Sequence, residues 1–301
     1  MDRASADLGT DLWIKRDDLS GFALGGNKVR KLEYLLADAL DQQCDTVVTC
    51  GGIHSNFIRA LAAGCAKLGL RCCAAVMELP FEFKEPKGGR LNPVNGNPLL
   101  SRLFGGELQE YPNGSWEQLY QFGEELAQRE ETQGKRVYRI PVGGSSALGA
   151  FAFYEAGKEV IESGHSFDWI ICASSSGSTQ TGLSYAFAGS STKVLGISAD
   201  PEPEMADDLA ELGRALAPLI DAQELEARDF RLNLGFVGPG YGVASESGDA
   251  AIRYLAKTEG ILLDPIYTGK AFAGITQLIS NREVAGKLLF WHTGGNPSIF
   301  S

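Results

Sequence analysis

A lysine that follows two glycines and an asparagine is the residue best suited to covalent chemistry in this sequence. Lys28 comes after Gly25, Gly26 and Asn27, and the apolar positions beyond it predict an amphipathic helix that begins at this lysine. An amine held at the start of a helix can turn toward a bound carbonyl group, as Schiff-base chemistry requires. Taken alone, the pattern also fits a solvated basic helix turn, because short glycine–lysine motifs recur by chance.

Four loops of small residues could supply the rest of a site. They begin at Gly51, Gly143, Ser174 and His292, and each follows a strand-like run. In open parallel α/β sheets, ligands bind where such loops leave the carboxyl ends of the strands. The loop from Ser174 to Thr179 offers consecutive backbone N–H groups and hydroxyls that can hold a phosphate without a cation. A serine-capped helix start is the plainer alternative, but six small residues in a row exceed what a cap needs.

The elements around these loops predict an α/β fold. Strand-like runs alternate with helical runs, with strands at residues 45–50, 71–78, 136–142, 168–173, 193–198 and 287–292, and helices at residues 56–68, 116–130, 147–162, 181–188, 247–258 and 270–280. Such alternation is typical of open, twisted parallel sheets with helices on both faces. The phosphate loop lacks both the nucleoside-triphosphate and the dinucleotide glycine patterns, which argues against those two ligands.

Composition excludes several classes of function. The 301 residues carry a formal net charge of -11, which argues against a nucleic-acid or anionic-membrane surface. No apolar run reaches the roughly 20 residues that span a bilayer, and no hydrophobic signal region follows Met1. The six cysteines lack metal-ligand spacing, so reduced thiols are expected. We therefore expect a soluble, cytoplasmic protein that binds a small molecule, with neither nucleic acid nor membrane as a partner.

A lysine and a phosphate loop together suggest pyridoxal 5'-phosphate, because its aldehyde needs the amine and its phosphate needs the loop. The chain resembles the fold-type II pyridoxal-phosphate enzymes of the 1-aminocyclopropane-1-carboxylate deaminase / D-cysteine desulfhydrase family, whose fold is tryptophan synthase beta-like. Collinear segments carry the resemblance along nearly the whole chain, at residues 15–18, 25–33, 51–56, 141–149, 174–179, 238–243, 263–270 and 292–295.

The resemblance implies a domain arrangement and an oligomeric state. A large cofactor-binding domain would comprise residues 1–39 and 147–301, and a small domain would comprise residues 40–146. The family is homodimeric, so a homodimer is expected.

The resemblance also implies roles for the residues around the cofactor. Lys28 would bind the cofactor aldehyde as a Schiff base and, once substrate displaces it, would move the Cα proton. Asn56 would bond the ring hydroxyl, and Thr293 would face the pyridine nitrogen. The phosphate would be held by Ser176, Gly177, Ser178 and Thr179.

The substrate contacts follow from the same resemblance. The loop of His54, Ser55 and Asn56 would grip the substrate carboxylate, and Tyr241 and Tyr267 would line its reacting end. Lys28, Ser55, Tyr241 and Tyr267 would form the catalytic set. His54 stands where the family usually has glutamine, and it either bonds the carboxylate or fills space as a neutral ring.

The residues at the ring nitrogen indicate which activity to expect. Where deaminases of the family have a glutamate and a leucine, this chain has Thr268 and Thr293. Two neutral hydroxyls give the pyridine nitrogen a hydrogen bond without a counter-ion, which suits expulsion of a good leaving group better than breaking a carbon–carbon bond. The expected reaction is α,β-elimination on a small D-amino acid, with D-cysteine giving pyruvate, ammonia and hydrogen sulfide.

Other activities remain open on the sequence alone. The alternatives are 1-aminocyclopropane-1-carboxylate deaminase, a lyase acting on another β-substituted amino acid, and a cofactor-binding protein with little catalysis. A flavodoxin-like or dinucleotide-binding protein would share the fold class but would leave Lys28 and the Thr293 loop unexplained.

Overall fold

Strands and helices alternate along the chain in the computed structural model, which describes residues 1–78 and 94–301. The helices are α1 (Asp2–Leu8), α2 (Asn27–Asp41), α3 (Asn56–Leu68), α4 (Asn97–Leu103), α5 (Trp116–Thr132), α6 (Ala147–Glu162), α7 (Ser178–Ala186), α8 (Met205–Leu216), α9 (Glu246–Glu259) and α10 (Thr268–Ser280). The strands are β1 (Asp11–Arg16), β2 (Thr46–Gly52), β3 (Arg71–Met77), β4 (Glu107–Glu110), β5 (Val137–Arg139), β6 (Trp169–Ser174), β7 (Lys193–Ser198), β8 (Arg231–Asn233) and β9 (Lys287–His292).

The strands form two parallel sheets, which confirms the predicted α/β class. Within the described residues, one sheet has five strands in the order β1-β9-β6-β7-β8, and the other has four in the order β4-β3-β2-β5. Strands β6 and β9 are almost entirely buried, as expected when helices cover both faces of a parallel sheet. The division into residues 1–39 with 147–301 and residues 40–146 stays a prediction, and the strand membership of the two sheets is compatible with it.

Separate apolar clusters hold the helices on the sheets. Phe272 of α10 packs on Phe290 of β9 in the five-stranded sheet, and Phe153 of α6 packs on Trp291 from the same strand. Leu61 of α3 is fully buried over the four-stranded sheet. Each such side chain contributes about 1.5–3 kcal/mol through burial. The strand ends that carry the loops are therefore fixed by packing on both sides.

Two predicted elements have different limits in the structure. The strand expected at residues 136–142 ends at Arg139, since Pro141 has no N–H for a ladder and a short 3-10 turn follows at Val142–Gly144. The helix expected from residue 181 begins three residues earlier, at Ser178, so the last two residues of the phosphate loop already belong to this helix. Helices α1, α4 and α8 and strands β4 and β8 were not predicted; all of them except α8, which has 12 residues, span seven residues or fewer.

Two sequence expectations concern the cysteines and the membrane. All six cysteines are free thiols, and all but Cys44 are buried, in agreement with the expected reduced state. Among the residues described, no helix is both long and apolar enough to cross a bilayer.

Candidate active site

A cavity of about 510 Å³ lies between the carboxyl ends of the two sheets. Its wall includes the ends of β2 and β6 and the loops that follow β7 and β9. Most of the predicted site residues line it, namely Lys28, Ser55, Asn56, Ser176, Gly177, Thr179, Tyr241, Tyr267 and Thr293. Two predicted residues do not line it, namely His54 and Ser178. Loops from both sheets therefore bring the lysine, the phosphate loop and the tyrosines to one space.

The turn before Lys28 is held from both sides. Gly25 has a φ of +69°, and a Cβ there would lie 2.0 Å from the Asp18 carbonyl oxygen, so only glycine fits. The Asn27 N–H donates to the Thr293 carbonyl oxygen at 2.9 Å. The Asn27 Nδ2 donates to Thr179 Oγ1, also at 2.9 Å. Asparagine at this position thus ties the lysine turn to the phosphate loop and to the loop after β9.

A second lysine lies beside the first, and sequence reasoning missed it. Lys31 is fully buried, lines the cavity and donates from Nζ to the Gly143 carbonyl oxygen at 3.1 Å. Burial lowers the pKa of Lys28 to about 8, and a hydrogen bond with Lys31 opposes that shift. Burial, followed by the neighbouring charge of Lys28, holds the pKa of Lys31 well below its usual range. The signal in the sequence was the i, i+3 spacing, which puts both amines on one helix face.

The phosphate loop presents hydroxyl protons to the cavity. The Ser145 hydroxyl donates to Ser176 Oγ at 2.8 Å, so the Ser176 proton stays available to a ligand. Thr179 Oγ1 already accepts from Asn27, which leaves its proton available in the same way. Ser178 is fully buried, and its hydroxyl lies 3.1 Å from Ser145 Oγ, behind the loop. Its side chain therefore supports the loop, while its backbone N–H is the first one of helix α7.

Helix α3 begins at the cavity with two polar residues. Ser55 is the N-cap, and its Oγ accepts from the N–H groups of Phe57 and Ile58 at 3.2 and 3.4 Å. Because the oxygen is the acceptor in both bonds, the Ser55 proton can be donated to a ligand. Asn56 Oδ1 accepts from Asn97 Nδ2 at 2.9 Å. Hydroxyl, amide and helix N-terminus together form a binding site for an anion.

The two predicted tyrosines are bonded to each other. The Tyr241 and Tyr267 hydroxyl oxygens lie 2.7 Å apart, and both rings line the cavity. Their enclosed position raises the pKa of both phenols above the usual value. Both are therefore neutral near pH 7, and the pair can donate a hydrogen bond toward the cavity.

The structure bears on the expectations for His54 and Thr268. The His54 ring nitrogens are buried and have no hydrogen-bond partner in residues 1–78 and 94–301, and burial lowers the pKa of this histidine. The neutral, space-filling interpretation fits these observations. The expectation that Thr268 faces the ring nitrogen is wrong, because its hydroxyl donates to Asp264 Oδ2 at 2.6 Å and the residue does not line the cavity. Asp264 also accepts three N–H groups at the start of α10, which fixes this arrangement.

One side of the cavity wall is acidic, a feature that sequence reasoning did not predict. Four carboxylates contribute to it, from Glu117, Asp200, Glu202 and Asp208. Burial raises the pKa of Asp200 to about 6, with a hydrogen bond from Ser175 acting against the shift. Burial and the neighbouring acids, led by Glu211, also raise the pKa of Asp208. This side of the cavity therefore has a negative potential, opposite in sign to the charge of the protonated Lys28 and Lys31 amines.

Comparison with known proteins identifies the family. The family model described as pyridoxal-phosphate dependent enzyme matches residues 1–294. The chain belongs to this family. Several relatives carry the name D-cysteine desulfhydrase. The protein from Klebsiella pneumoniae (strain 342) is 40% identical over 309 residues, covering 100% of this chain and 92% of the relative. The protein from Serratia proteamaculans (strain 568) is 39% identical over 312 residues, covering 100% and 91%.

A solved structure supports both the fold and the family. The crystal structure of an ACC deaminase homologue has a TM-score of 0.89 and 33% identity, and the match covers 98% of this chain and 88% of that one. The fold-type II arrangement predicted from the sequence is thereby confirmed, and so is pyridoxal phosphate as the cofactor of the family.

The residues present fit the cofactor of the family. A Cβ on Gly143 would lie 2.5 Å from Ser176 Oγ and 3.5 Å from Lys28 Nζ, so this glycine keeps open the space between amine and phosphate loop. Ser174 Oγ is buried in the same wall and has no partner among the described residues. An aldehyde near Lys28 and a phosphate near Ser176 and Lys31 would use these groups.

Proposed function

We propose that the protein catalyses α,β-elimination on a small D-amino acid, converting D-cysteine to pyruvate, ammonia and hydrogen sulfide. The observation that carries the proposal is a single cavity that joins the Lys28 amine, the neutral Thr293 hydroxyl and the bonded pair Tyr241 and Tyr267. The relatives named D-cysteine desulfhydrase, at 40% and 39% identity over the whole chain, support the choice of substrate.

Several groups of the chain would hold the cofactor. The backbone N–H groups and hydroxyls of the loop from Ser176 to Thr179 would bind its phosphate, together with the Lys31 amine, which would be protonated beside the phosphate dianion. Asn56 would donate to the ring hydroxyl. Thr293 would bond the pyridine nitrogen without supplying a charge. Bound at Lys28, pyridoxal phosphate supplies an electron sink that makes the substrate Cα–H acidic.

The chain would then handle the substrate at three atoms. Helix α3 and the Ser55 hydroxyl bind the carboxylate. Lys28 Nζ accepts the Cα proton, for which a pKa of about 8 is well matched near neutral pH. As the Cβ–S bond breaks, sulfur keeps the electron pair and takes a proton from the pair Tyr241 and Tyr267. The released enamine is hydrolysed by water to pyruvate and ammonia.

The test is to assay the protein reconstituted with pyridoxal phosphate. D-cysteine should change the visible absorption band and release sulfide and pyruvate in equal amounts, with L-cysteine much slower. Lys28→Ala should abolish both the band and the turnover, and Lys135→Ala, an exposed lysine, should leave them unchanged. Full elimination by Lys28→Ala would refute the mechanism. A normal band with no sulfide would refute the substrate while keeping the cofactor.

The acidic wall favours a second candidate, a lyase acting on another β-substituted amino acid. Asp200 and Asp208 would attract a positively charged β-substituent, and D-2,3-diaminopropionate is the probe. A kcat/KM for this compound above that for D-cysteine, reversed in Asp200→Asn, would establish that candidate. Deaminase activity on 1-aminocyclopropane-1-carboxylate is the further alternative, supported by the solved homologue and tested by formation of 2-oxobutyrate.

We also propose that the protein is a cytoplasmic homodimer with the large and small domains given above. Support comes from the family resemblance and from exposed apolar side chains such as Leu19 and Leu103, which are 65% and 71% exposed in the single chain. Light scattering of the purified protein tests the dimer. A monomeric mass at micromolar concentration would refute it.

A further inference from the structure

An arginine is buried next to the cavity without an opposite charge. Arg59 of α3 is fully buried, and burial lowers its pKa to about 10. Its Nε donates to Asn97 Oδ1 at 2.8 Å, and an Nη donates to the Gly25 carbonyl oxygen at 3.2 Å. The other Nη has no partner in the described parts of the chain, and burial is the only influence on the pKa of this guanidinium, with no contribution from a carboxylate.

Such a group is costly to bury. A buried charge normally requires a partner of opposite sign, and an unpaired one destabilises the folded state. Packing alone would be better served by an apolar side chain of similar volume. The position of Arg59, between the turn that presents Lys28 and the amide of Asn97, suggests that its charge serves the site.

The hydrogen bonds from Arg59 onward run in only one possible direction. A guanidinium only donates, so Asn97 must turn its carbonyl oxygen toward Arg59. The Asn97 NH2 then faces three acceptors, the His54 carbonyl oxygen at 2.8 Å, Asn56 Oδ1 at 2.9 Å and Ser298 Oγ at 3.1 Å. Asn56 must therefore turn its own NH2 away from Asn97, toward the cavity that it lines. If the Asn97 amide alone were turned over, its carbonyl oxygen would face that of Asn56. If the Asn56 amide alone were turned over, the two NH2 groups would face each other.

We propose that Arg59 and Asn97 are positioning residues that fix Asn56 as a hydrogen-bond donor toward the ring oxygen of the cofactor. The proposal rests on the roles of Lys28 and Asn56 in the proposed function. Each bond in the series polarises the next, so the buried charge strengthens the last donor. The same guanidinium holds the Gly25 carbonyl oxygen, and so it also fixes the turn that presents the amine.

The experiment is a pH titration of the visible band, without substrate, in Asn97→Asp reconstituted with pyridoxal phosphate. The band changes when the proton shared by the Lys28 nitrogen and the ring oxygen is lost. A donor on that oxygen withdraws negative charge and makes the loss easier. The introduced carboxylate would still pair with Arg59 but would accept from Asn56, so the Asn56 carbonyl would turn to the ring. The midpoint of the transition should rise by about 1–2 pH units, which corresponds to the free energy of one hydrogen bond to a charged acceptor.

Controls separate positioning from general damage to the fold. Asn281→Asp makes the same change at an exposed site and should leave the transition unchanged. Arg59→Lys keeps a cation that can donate to Asn97, and should stay closer to wild type than Arg59→Gln, which loses the charge. The dissociation constant for the cofactor, measured by fluorescence quenching, should increase about tenfold in Asn97→Asp and remain unchanged in Asn281→Asp.

The outcomes are distinct. An unchanged transition in folded Asn97→Asp would overturn the proposal. If that variant fails to fold, Arg59→Gln decides, and an unchanged transition there also overturns it. Failure of both to fold would show that the two residues are structural. A wild-type protein with no visible band would instead refute the role of Lys28, and with it the proposed function.

Discussion

The space between Lys28 and the phosphate loop depends on a glycine, and Gly143→Ala tests this directly. Gly143 has a φ of +66°, and its added Cβ would lie 2.5 Å from Ser176 Oγ. Two effects are expected. The left-handed backbone costs about 1 kcal/mol with any side chain. The contact must also push the Ser176 hydroxyl away from the cavity, since the atom concerned belongs to a side chain that can rotate.

The second effect sets the magnitude for cofactor binding. A displaced Ser176 loses the bond from Ser145 and one bond to the phosphate, and a hydrogen bond to a charged group contributes about 1.5–3 kcal/mol. With about 2 kcal/mol lost, the dissociation constant for pyridoxal phosphate should rise roughly 30-fold. Fluorescence titration of the cofactor-free protein measures it.

A matched glycine separates the two effects. Gly164 has a φ of +73°, and a Cβ there would have no neighbour within 4 Å. Gly164→Ala should therefore lose about 1 kcal/mol of unfolding free energy and bind the cofactor as wild type does. If Gly143→Ala binds the cofactor as tightly as Gly164→Ala does, the space assigned to the cofactor is wrong.

Three further predictions concern the other walls of the site. Tyr241→Phe removes the hydroxyl bonded to Tyr267 and should slow sulfide release about 10²–10⁴-fold without changing the cofactor spectrum. Sulfide release at the wild-type rate would exclude the two tyrosines as the proton donor. Ser55→Ala removes the cap of α3, so it should lower the unfolding free energy by about 1 kcal/mol and raise the KM for D-cysteine. Denaturant melts measure the first effect and steady-state kinetics the second, and an unchanged KM would show that Ser55 does not bind the substrate carboxylate. In cofactor-free protein, burial lowers the pKa of Lys28 to about 8 from 10.5, so the unfolded chain binds more protons between these values and stability should rise over that range. Burial also lowers the pKa of Lys31 and that of Lys270, and both contribute to the same rise. Lys28→Met should therefore show a smaller rise in thermal scans, and equal slopes would contradict the shift.

Most of the framework was predictable because the fold buries its strands on both faces. The runs at 169–174 and 287–292 are almost continuously buried, and each ends in a loop of small residues. Such runs have few other structures open to them in a chain of alternating elements. The position of the site followed, since the carboxyl ends of the strands meet between the two sheets.

What could not be predicted depended on pairs of side chains that are distant in sequence or in an unexpected environment. Thr268 was expected at the ring nitrogen, but Asp264 needs its hydroxyl at the start of α10. Lys31 and Arg59 were not singled out from the sequence, because composition and periodicity do not tell when a charged side chain is buried without an opposite charge. The acidic wall likewise forms only when the loop after β7, with Asp200, meets the start of helix α5.

The pairing of β1 with β9 has a consequence for how the enzyme is made. Leu12 lies opposite Leu288, and the Asn27 N–H bonds to the Thr293 carbonyl oxygen. The lysine is thus synthesised early, but the strand that fixes it emerges from the ribosome late. Contacts of such long sequence separation form slowly and only after the intervening chain is available. We therefore expect stable cofactor binding only after β9 has been synthesised and has paired with β1, so that a bound cofactor marks a chain in which these two strands are paired.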